Sequence, residues 1–376
     1  MGTLLVGLHN KEEMLGAYHD AQKHGQRGGN MIRFECDYAE GAHPQIMQAM
    51  METNMEQNPG YSTDEHCQRA REYIRRACQA PDAAVEFLVG GTQANVTVIS
   101  ACLKPYQGAL CAASGHINVH ETGAMEAYGY KALTLESPDG KITAEQVEKA
   151  WEDHIHNASH EHMVQPGMVY ISWPTECGTL YSKKELTAIS QVCRKIGLKL
   201  FVDGARCGYG LAAPGNDVTL KDLAELTDVF YIGGTKVGAL FGEAVVITNL
   251  EIQKDFRYYI KQHGGMLAKG RLLGIQFETL FKENLYGQIA QHAIDLAMQI
   301  REAFVKCGVP FLFDSVTNQQ FPILTAEQKE EFEKKYAFEL WEEVDKEHFA
   351  VRFCTSWATR EENVKALTED IIRICG

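Results

Sequence analysis

The sequence has no apolar run of the roughly 18 residues that a bilayer-spanning helix requires. Its N-terminus, MGTLLVGLHN, has a short apolar stretch and no basic segment before it, so we expect no secretory signal. No long block of like charges is present, and 50 acidic residues outnumber 36 basic ones, for a net charge of −14. We therefore expect neither a membrane nor a nucleic acid as partner, because nucleic-acid binders concentrate positive charge.

The eleven cysteines form no C-x-x-C pair and are scattered from Cys36 to Cys375. An odd number, spread over a long chain, is typical of reduced thiols in a cytoplasmic protein rather than of a disulfide framework. The sequence also lacks a P-loop, a Pro-rich linker, a low-complexity segment and an internal repeat. We expect a cytoplasmic protein whose 376 residues form closely packed domains.

Short apolar runs alternate with helical patterns through the middle of the chain, which indicates a mostly parallel sheet wrapped by helices. The predicted strands are Val85–Val89, Ala109–Ala113, Tyr130–Leu135, Met168–Ser172, Leu198–Val202, Val229–Ile232 and Ala244–Ile247. The predicted helices between them include one that ends near Leu103, one that begins near Thr143, and Lys183–Ile196.

After residue 250 the pattern changes to longer amphipathic helices, of which Tyr286–Phe304 is the clearest and Glu361–Ile374 the last. Short strands are predicted at Gln320–Leu324 and Ala350–Cys354. The sequence therefore predicts an α/β fold in which a large sheet domain is followed by a small C-terminal α+β domain. The expected division is an N-terminal arm over 1–60, the large domain over 61–255, and C-terminal helices with the small domain over 256–376.

Four predicted strands end in residues suited to chemistry, and in open α/β sheets ligands bind at the carboxyl ends of strands. Gly91-Thr92 lies where a helix begins, a place suited to a phosphate group. His116 offers an imidazole that stacks on an aromatic cofactor or moves protons. Asp203 offers a carboxylate that keeps a pyridine nitrogen protonated, and Lys236 offers an accessible amine for imine formation.

Each of these residues also has a plainer interpretation when it is taken alone. These are a strand–helix turn at Gly91-Thr92, a structural histidine at His116, a helix-capping acid at Asp203 and a surface lysine at Lys236. Gly208–Ala213 formally matches a dinucleotide fingerprint, but it does not directly follow a strand, as that motif requires. The four histidines from His154 to His162 lack ordered spacing, so we expect a polar loop there and no metal.

The order of the four strand-end motifs matches fold-type I pyridoxal-phosphate enzymes, and the sequence resembles the L-threonine aldolase family of the β-eliminating lyase group. The resemblance covers nearly the whole chain, from about Asp37 to about Trp357. The motifs that carry it are Pro59-Gly60-Tyr61, Gly91-Thr92-Gln93-Ala94-Asn95, Gly115-His116-Ile117, Glu121-Thr122-Gly123-Ala124, Asp203-Gly204-Ala205-Arg206, Thr235-Lys236 and Gly264-Gly265-Met266.

The resemblance implies that the cofactor is pyridoxal 5′-phosphate, with Lys236 as its Schiff-base lysine and Thr235 beside it. It implies that Asp203 contacts the pyridine nitrogen, that His116 lies against the ring, and that Gly91 and Thr92 hold the phosphate.

It also implies that Arg206 and Arg352 bind the substrate carboxylate, for which a planar guanidinium is well shaped. Because family members are tetramers built from dimers with shared active sites, Tyr61 is expected to reach a neighbouring subunit's site.

Three positions depart from the family pattern. Cys36 stands where a serine is usual, in a segment that contacts substrate, and Glu176 stands where the family has a histidine near the substrate hydroxyl. Lys269 follows the Gly-Gly-Met loop where an arginine usually contacts phosphate, so Lys269 is expected to replace it as a point charge. These departures leave the cofactor chemistry intact and affect the expected side-chain specificity.

The resemblance implies cleavage of L-threonine or L-allo-threonine to glycine and an aldehyde. The sequence leaves open whether the base for the substrate hydroxyl is His116, Glu176 or a water molecule. Two other functions stay open at this point. One is β-elimination from a Ser- or Cys-like substrate, and the other is a non-catalytic protein that binds the cofactor.

Overall fold

The apolar runs of the sequence become strands in the computed structural model, which describes residues 31–376. The expectation about the first ten residues falls outside this range. In chain order the strands are β1 (Ile32–Arg33), β2 (Ala84–Leu88), β3 (Gln107–Ala112), β4 (Lys131–Leu135), β5 (Gln165–Ser172), β6 (Lys199–Asp203), β7 (Val229–Gly233), β8 (Glu243–Ile247), β9 (Gln319–Gln320), β10 (Ile323–Thr325), β11 (Tyr336–Ala337), β12 (Glu339–Glu343) and β13 (His348–Cys354). All seven strands predicted for the large domain are present, with ends shifted by a few residues at most.

Those seven strands form one sheet in the spatial order β2-β8-β7-β6-β5-β3-β4. β8 runs antiparallel to both of its neighbours, while β7, β6, β5, β3 and β4 pair in parallel. Every residue of β7 and β8 is buried, as expected for central strands covered by helices on both faces. The carboxyl ends of β3, β5, β6 and β7 therefore lie along one edge, where the predicted site residues follow them.

Fifteen α-helices accompany these strands within residues 31–376. They are α1 (Pro44–Glu52), α2 (Glu65–Ala77), α3 (Gly91–Cys102), α4 (His116–Val119), α5 (Ala124–Ala127), α6 (Ala144–Ile155), α7 (Lys183–Ile196), α8 (Cys207–Ala212), α9 (Leu220–Leu226), α10 (Leu250–Gln253), α11 (Phe256–Gln262), α12 (Arg271–Lys282), α13 (Leu285–Lys306), α14 (Ala326–Glu333) and α15 (Glu361–Cys375). The starts of α6 and α7 are fixed by capping boxes at Thr143 and Ser182, which satisfy amide groups that a helix leaves unpaired.

The small domain is built around β13, which pairs antiparallel with β9, β10 and β12. The sequence predicted a single strand over Gln320–Leu324, and that prediction is wrong. Two short strands are present instead, with Pro322 between them. Proline has no backbone N–H to donate, so it interrupts a ladder of this kind.

The segment from Ile32 to Asp37 joins the two domains. β1 pairs in parallel with β11, and Phe34 lies in the core of the small domain. Three residues later, the fully buried carboxylate of Asp37 forms an ion pair with Arg206 of the large domain. The beginning of the described chain is therefore part of both domains.

All eleven cysteines are free thiols, and seven of them are buried. Burial raises the pKa of several of them, including Cys67 to about 12, so these thiols stay protonated near neutral pH. None of the fifteen α-helices is both long and apolar enough to cross a membrane.

Candidate active site

A cavity of about 280 Å³ lies where the carboxyl ends of the central strands meet the small domain. The residues that line it are Tyr38, His116, His120, Glu176, Arg206, Lys236, Gln319, Glu339, Trp341 and Arg352. Half of this set consists of residues singled out in the sequence, drawn from five separate segments. Among the residues singled out in the sequence, the fold brings together side chains as far apart as His116 and Arg352.

Lys236 lies three residues after β7, on a turn that small residues make possible. A side chain at Gly234 would come within 2.7 Å of the Gly242 carbonyl oxygen, so the chain needs glycine there. Burial and the positive charge of Arg206 lower the pKa of Lys236 below that of a free lysine. A lysine with a lowered pKa is a better nucleophile, since more of it is the neutral amine.

Thr235 and Glu243 stabilise the turn that carries Lys236. The Thr235 hydroxyl donates to Glu243 Oε1 at 2.8 Å and accepts the Gly242 N–H at 3.0 Å. Glu243 is buried, and burial raises the pKa of its carboxyl to about 8. The sequence interpretation missed Glu243, because the predicted strand began one residue later, at Ala244. The cofactor contact predicted for Thr235 stays a prediction, because its hydroxyl already serves the turn.

Asp203 is the last residue of β6, and only 4% of it is exposed. Its hydrogen-bond donors are Tyr170 OH (2.6 Å), Tyr231 OH (2.5 Å), Asn95 Nδ2 (3.0 Å) and the backbone N–H of Ala205 (3.0 Å). Burial alone would raise the pKa of Asp203. The charge of His116 and the donated hydrogen bonds outweigh burial and lower that pKa, so Asp203 is a carboxylate at neutral pH.

His116 begins α4 and is held by Glu121. Its Nδ1 lies 2.7 Å from Glu121 Oε1, which also accepts a hydrogen bond from Asn95 Nδ2 at 2.6 Å. Because a carboxylate only accepts, Nδ1 carries a proton. Burial opposes a charged imidazole, but Glu121 and the charge of Asp203 prevail and raise the pKa of His116. Asn95 Nδ2 therefore donates both to Asp203 and to Glu121, the carboxylate that orients His116.

Glu176 lies on the cavity wall beside the start of α4. Its Oε1 accepts hydrogen bonds from Ser172 Oγ at 2.6 Å and from the His116 backbone N–H at 3.1 Å. Burial, with a smaller contribution from the charge of Asp203, raises the pKa of Glu176 above that of a free glutamate. The carboxyl group is therefore placed both to fix the His116 backbone and to face the cavity.

The two predicted carboxylate-binding arginines are held in different ways. Arg206 is paired with Asp37, with Nε to Oδ2 at 2.7 Å and Nη2 to Oδ1 at 3.1 Å. Arg352 donates from Nη1 to Gln319 Oε1 at 2.8 Å and from Nη2 to the Glu35 carbonyl oxygen at 3.0 Å. Both guanidinium groups are thus fixed in orientation, and both residues line the cavity.

The helix α3 starts at Gly91 with Gly90 as its N-cap, and no side chain caps it. Its first amide groups are therefore open to an anion, and the helix dipole favours one there. A side chain at Gly91 would lie 3.2 Å from the hydroxyl of Tyr231, which in turn donates to Asp203. The predicted phosphate site is thus close to the predicted ring site.

This set of groups fits pyridoxal 5′-phosphate: an amine of lowered pKa, a buried ionised carboxylate, and an uncapped helix start for a phosphate. One detail limits the fit. A carboxylate offers about four acceptor positions, and Asp203 already accepts four hydrogen bonds. A protonated pyridine nitrogen must share an oxygen with one of those donors or displace it.

Seven of the predicted site residues lie outside the cavity lining: Gly91, Thr92, Asp203 and Thr235, described above, and Tyr61, Lys269 and Cys36. Tyr61 and Lys269 lie on neighbouring loops, where the Tyr61 N–H donates to the Ala268 carbonyl oxygen at 3.1 Å and Lys261 lies over the Tyr61 ring at 5.3 Å. Both Tyr61 and Lys269 are exposed. Cys36 is next to the buried Asp37 and is partly exposed. Their predicted contacts with cofactor or substrate stay predictions.

Five lining residues were not predicted: Tyr38, His120, Gln319, Glu339 and Trp341. His120 had a usable signal, because residues four apart share one face of a helical turn and His116 was already singled out. Glu339 and Trp341 had none, since they follow from how β12 pairs with β13.

The sheet order, the lysine after β7 and the acid at the end of β6 are those of a fold-type I pyridoxal-phosphate enzyme. The beta-eliminating lyase family model matches residues 34–327, and the chain belongs to that family. A low specificity L-threonine aldolase from a Pseudomonas species is 30% identical, with 90% of this chain and 96% of the relative covered. Another, from Pseudomonas aeruginosa, is 29% identical, with 92% and 98% covered.

Among solved structures, a threonine aldolase from Leishmania major is similar, with a TM-score of 0.89 and 42% sequence identity over 92% of this chain and all of that one. Aspartate aminotransferase from Thermus thermophilus has a TM-score of 0.65 at 14% identity, with 96% of each chain covered. The second likeness shows the shared fold alone.

Proposed function

We propose that this protein is a pyridoxal-phosphate-dependent aldolase that cleaves L-threonine and L-allo-threonine to glycine and acetaldehyde. The observation that carries the proposal is one cavity that holds Lys236, His116 and two oriented guanidinium groups. The similarity to threonine aldolases of two pseudomonads and of Leishmania supports it. Related β-hydroxy amino acids fall in the same substrate class.

The chain's own residues would hold the cofactor from three sides. Lys236 would supply the amine that attaches it, Asp203 would bind the pyridine nitrogen, and His116 would lie against the ring. Gly91 and Thr92 offer amide groups to the phosphate, and we propose Lys269 as an added positive charge. When bound, pyridoxal phosphate supplies an electron sink for the electron pair of a broken bond at Cα.

Arg206 and Arg352 bind and orient the substrate. Their guanidinium groups match the planar shape of a carboxylate, and holding that group decides which bond at Cα is aligned for cleavage. We propose that Cys36 contributes to the same carboxylate site. Glu176 holds the backbone of His116 through its 3.1 Å hydrogen bond, and so keeps the imidazole in place.

We propose a cytoplasmic homotetramer, a dimer of dimers in which Tyr61 reaches the site of a second copy. The exposure of Tyr61, and its absence from the cavity lining, support this arrangement. The free, buried thiols support a reducing compartment. We keep the division into an arm over 1–60, a large domain over 61–255 and a C-terminal part over 256–376 as part of the proposal.

Aldehyde release from purified holoenzyme tests the function. Incubation with L-threonine or L-allo-threonine should yield acetaldehyde and glycine in equal amounts, detected by coupled reduction of the aldehyde and by amino-acid analysis. Pyruvate and ammonia from L-serine, without acetaldehyde from threonine, would instead establish a β-eliminating lyase. Neither product, together with a stably bound cofactor, would leave a binding protein without turnover.

A further inference from the structure

We infer that His120 is a second catalytic histidine, which accepts the proton of the substrate β-hydroxyl as the Cα–Cβ bond breaks. This inference rests on the proposed aldolase function and names the base that the sequence left open. It assigns the two histidines of α4 to different tasks: His116 to the cofactor ring, and His120 to the substrate side chain.

His120 lies beside His116 in the cavity. His116 and His120 lie four residues apart across the single turn of α4, where the His120 N–H donates to the His116 carbonyl oxygen at 2.9 Å. Side chains at this spacing lie on one face. Both imidazoles line the cavity that contains Lys236 and Arg352, and their ring centroids are 5.5 Å apart. His120 thus reaches the same space as His116, one turn further towards the small domain.

The imidazole of His120 is accessible to a substrate in the cavity. Within residues 31–376, no hydrogen bond engages the imidazole of His120, and the residue is exposed towards the cavity. By contrast, His116 Nδ1 is committed to Glu121. Glu176 Oε1 already accepts two hydrogen bonds, one from Ser172 and one from the His116 backbone. Within the same residues, both ring nitrogens of His120 are therefore without a hydrogen bond, whereas only Nε2 of His116 is.

The charged groups around His120 affect its pKa. Burial and the nearby positive charge of His116 lower the pKa of His120, and Arg352 and Lys236 add smaller contributions in the same direction. Glu339, across the cavity on β12, acts in the opposite direction without reversing the shift. His120 is therefore neutral at neutral pH, while Glu121 and Asp203 raise the pKa of His116.

The difference in pKa between His116 and His120 matters because a general base must be unprotonated before it can accept the hydroxyl proton. Two titratable groups whose surroundings separate their pKa values are typically assigned different acid–base roles. Glu121 and Asp203 favour the charged form of His116, to which we have assigned the cofactor ring. The surroundings of His120 favour its neutral form, which is the form that accepts a proton.

The proton and electron balance is simple. The β-hydroxyl proton moves to the free ring nitrogen of His120, and the electron pair of the O–H bond becomes the second carbon–oxygen bond of the aldehyde. The electron pair of the Cα–Cβ bond stays with the glycine fragment. A proton taken up at Cα from solvent completes glycine, and His120 returns its proton to solvent. No oxidant or reductant is needed.

The test compares two reactions of the holoenzyme. Cleavage of threonine needs the hydroxyl proton removed, whereas exchange of the glycine α-proton with deuterated water does not. We expect His120→Gln to slow cleavage by about 10²- to 10⁴-fold, the usual contribution of a general base. We expect glycine exchange, measured by NMR, and the cofactor absorbance spectrum to stay close to wild type.

Two variants serve as controls. His156→Gln alters the exposed histidine that caps the C-terminus of α6, outside the cavity lining, and it should leave both reactions unchanged. Glu176→Gln tests the rival base. A selective loss of cleavage in Glu176→Gln, with normal cleavage in His120→Gln, would overturn the inference. Equal losses of both reactions in His120→Gln would also overturn it, because a purely structural role predicts that result.

A direct titration separates this inference from the proposed function. In protein labelled with ¹³C-histidine, the His120 ring should titrate below the free-histidine pKa of about 6.5, and the His116 ring above it. The cleavage rate of wild type should fall as the pH drops through the His120 value. A His120 ring that titrates above His116 contradicts the inference, even if threonine is cleaved. Absence of wild-type cleavage, with the titration as expected, refutes the aldolase function and its base together.

Discussion

Glu339 and Arg352 face each other across the β12–β13 pair, and their side chains form an ion pair at the edge of the cavity. Arg352 is the arginine assigned to the substrate carboxylate, so an internal carboxylate already occupies part of its guanidinium group. Arg352 also stacks over Trp341, with its Cζ 5.5 Å from the ring centroid. An incoming substrate must therefore compete with Glu339 for the hydrogen bonds of Arg352.

Replacing Glu339 by glutamine should lower the KM for threonine, because the competing charge is gone. The carboxylate of Glu339 is 45% exposed, and partly exposed ion pairs are worth about 0.2–1 kcal/mol, so the expected change is about 1.4- to five-fold. Glu342→Gln, on the same exposed strand but outside the cavity lining, is the matched control. A higher KM in Glu339→Gln would mean that Glu339 assists binding instead.

Lys236→Ala should abolish covalent attachment of the cofactor and nearly all turnover, since no other amine follows β7 at the cavity. Borohydride reduction followed by peptide mass spectrometry should find the added mass on Lys236 in wild type and none in the variant. Lys195→Ala, an exposed lysine on α7, should behave as wild type. A modified peptide at another lysine would place the site elsewhere.

Asp203→Asn should keep the cofactor bound but slow reactions at Cα by orders of magnitude, because a charge that stabilises the transition state is removed. Tyr170 and Tyr231 would also lose a charged acceptor for their hydroxyl groups. The measurement is the rate of glycine α-proton exchange at full cofactor occupancy. Wild-type exchange in this variant would contradict the role given to Asp203.

Arg352→Lys should raise the KM for threonine by about 10- to 100-fold while the cofactor stays bound, because lysine is a poor substitute for a bidentate guanidinium. The side chain would also lose one of its fixed contacts, to Gln319 or to the Glu35 carbonyl oxygen. Steady-state kinetics with a cofactor assay would show it. An unchanged KM would mean that the carboxylate binds elsewhere.

The apolar runs predicted the strands of the large sheet well, because buried strands consist almost entirely of apolar residues. The run VFYI before Lys236 and the run LKLFV before Asp203 became β7 and β6 almost as expected. Edge strands are different: β12 reads ELWEE, a charged segment that resembles a loop, so Glu339 and Trp341 were missed. The antiparallel direction of β8 was not predictable either, since an apolar run does not indicate which way its strand will run in the sheet.

The environment of each site residue was harder to foresee than its identity. Asp203 was found from its place after a strand, but Tyr170 and Tyr231 donate to it from two other strands, and only the sheet order makes them neighbours. Glu121 was part of a quoted motif, yet its contact with His116 depends on the short helix that brings the two side chains together. Contacts of this kind depend on tertiary structure.

The pairing of β1 with β11 constrains how the protein is made. During synthesis, Ile32 and Arg33 leave the ribosome some 300 residues before Tyr336 and Ala337, the residues that they must pair with. The small domain therefore cannot close until Tyr336 and Ala337 have been translated. The nascent chain can complete its central sheet early, but the cavity lacks Arg352 until the small domain has been translated.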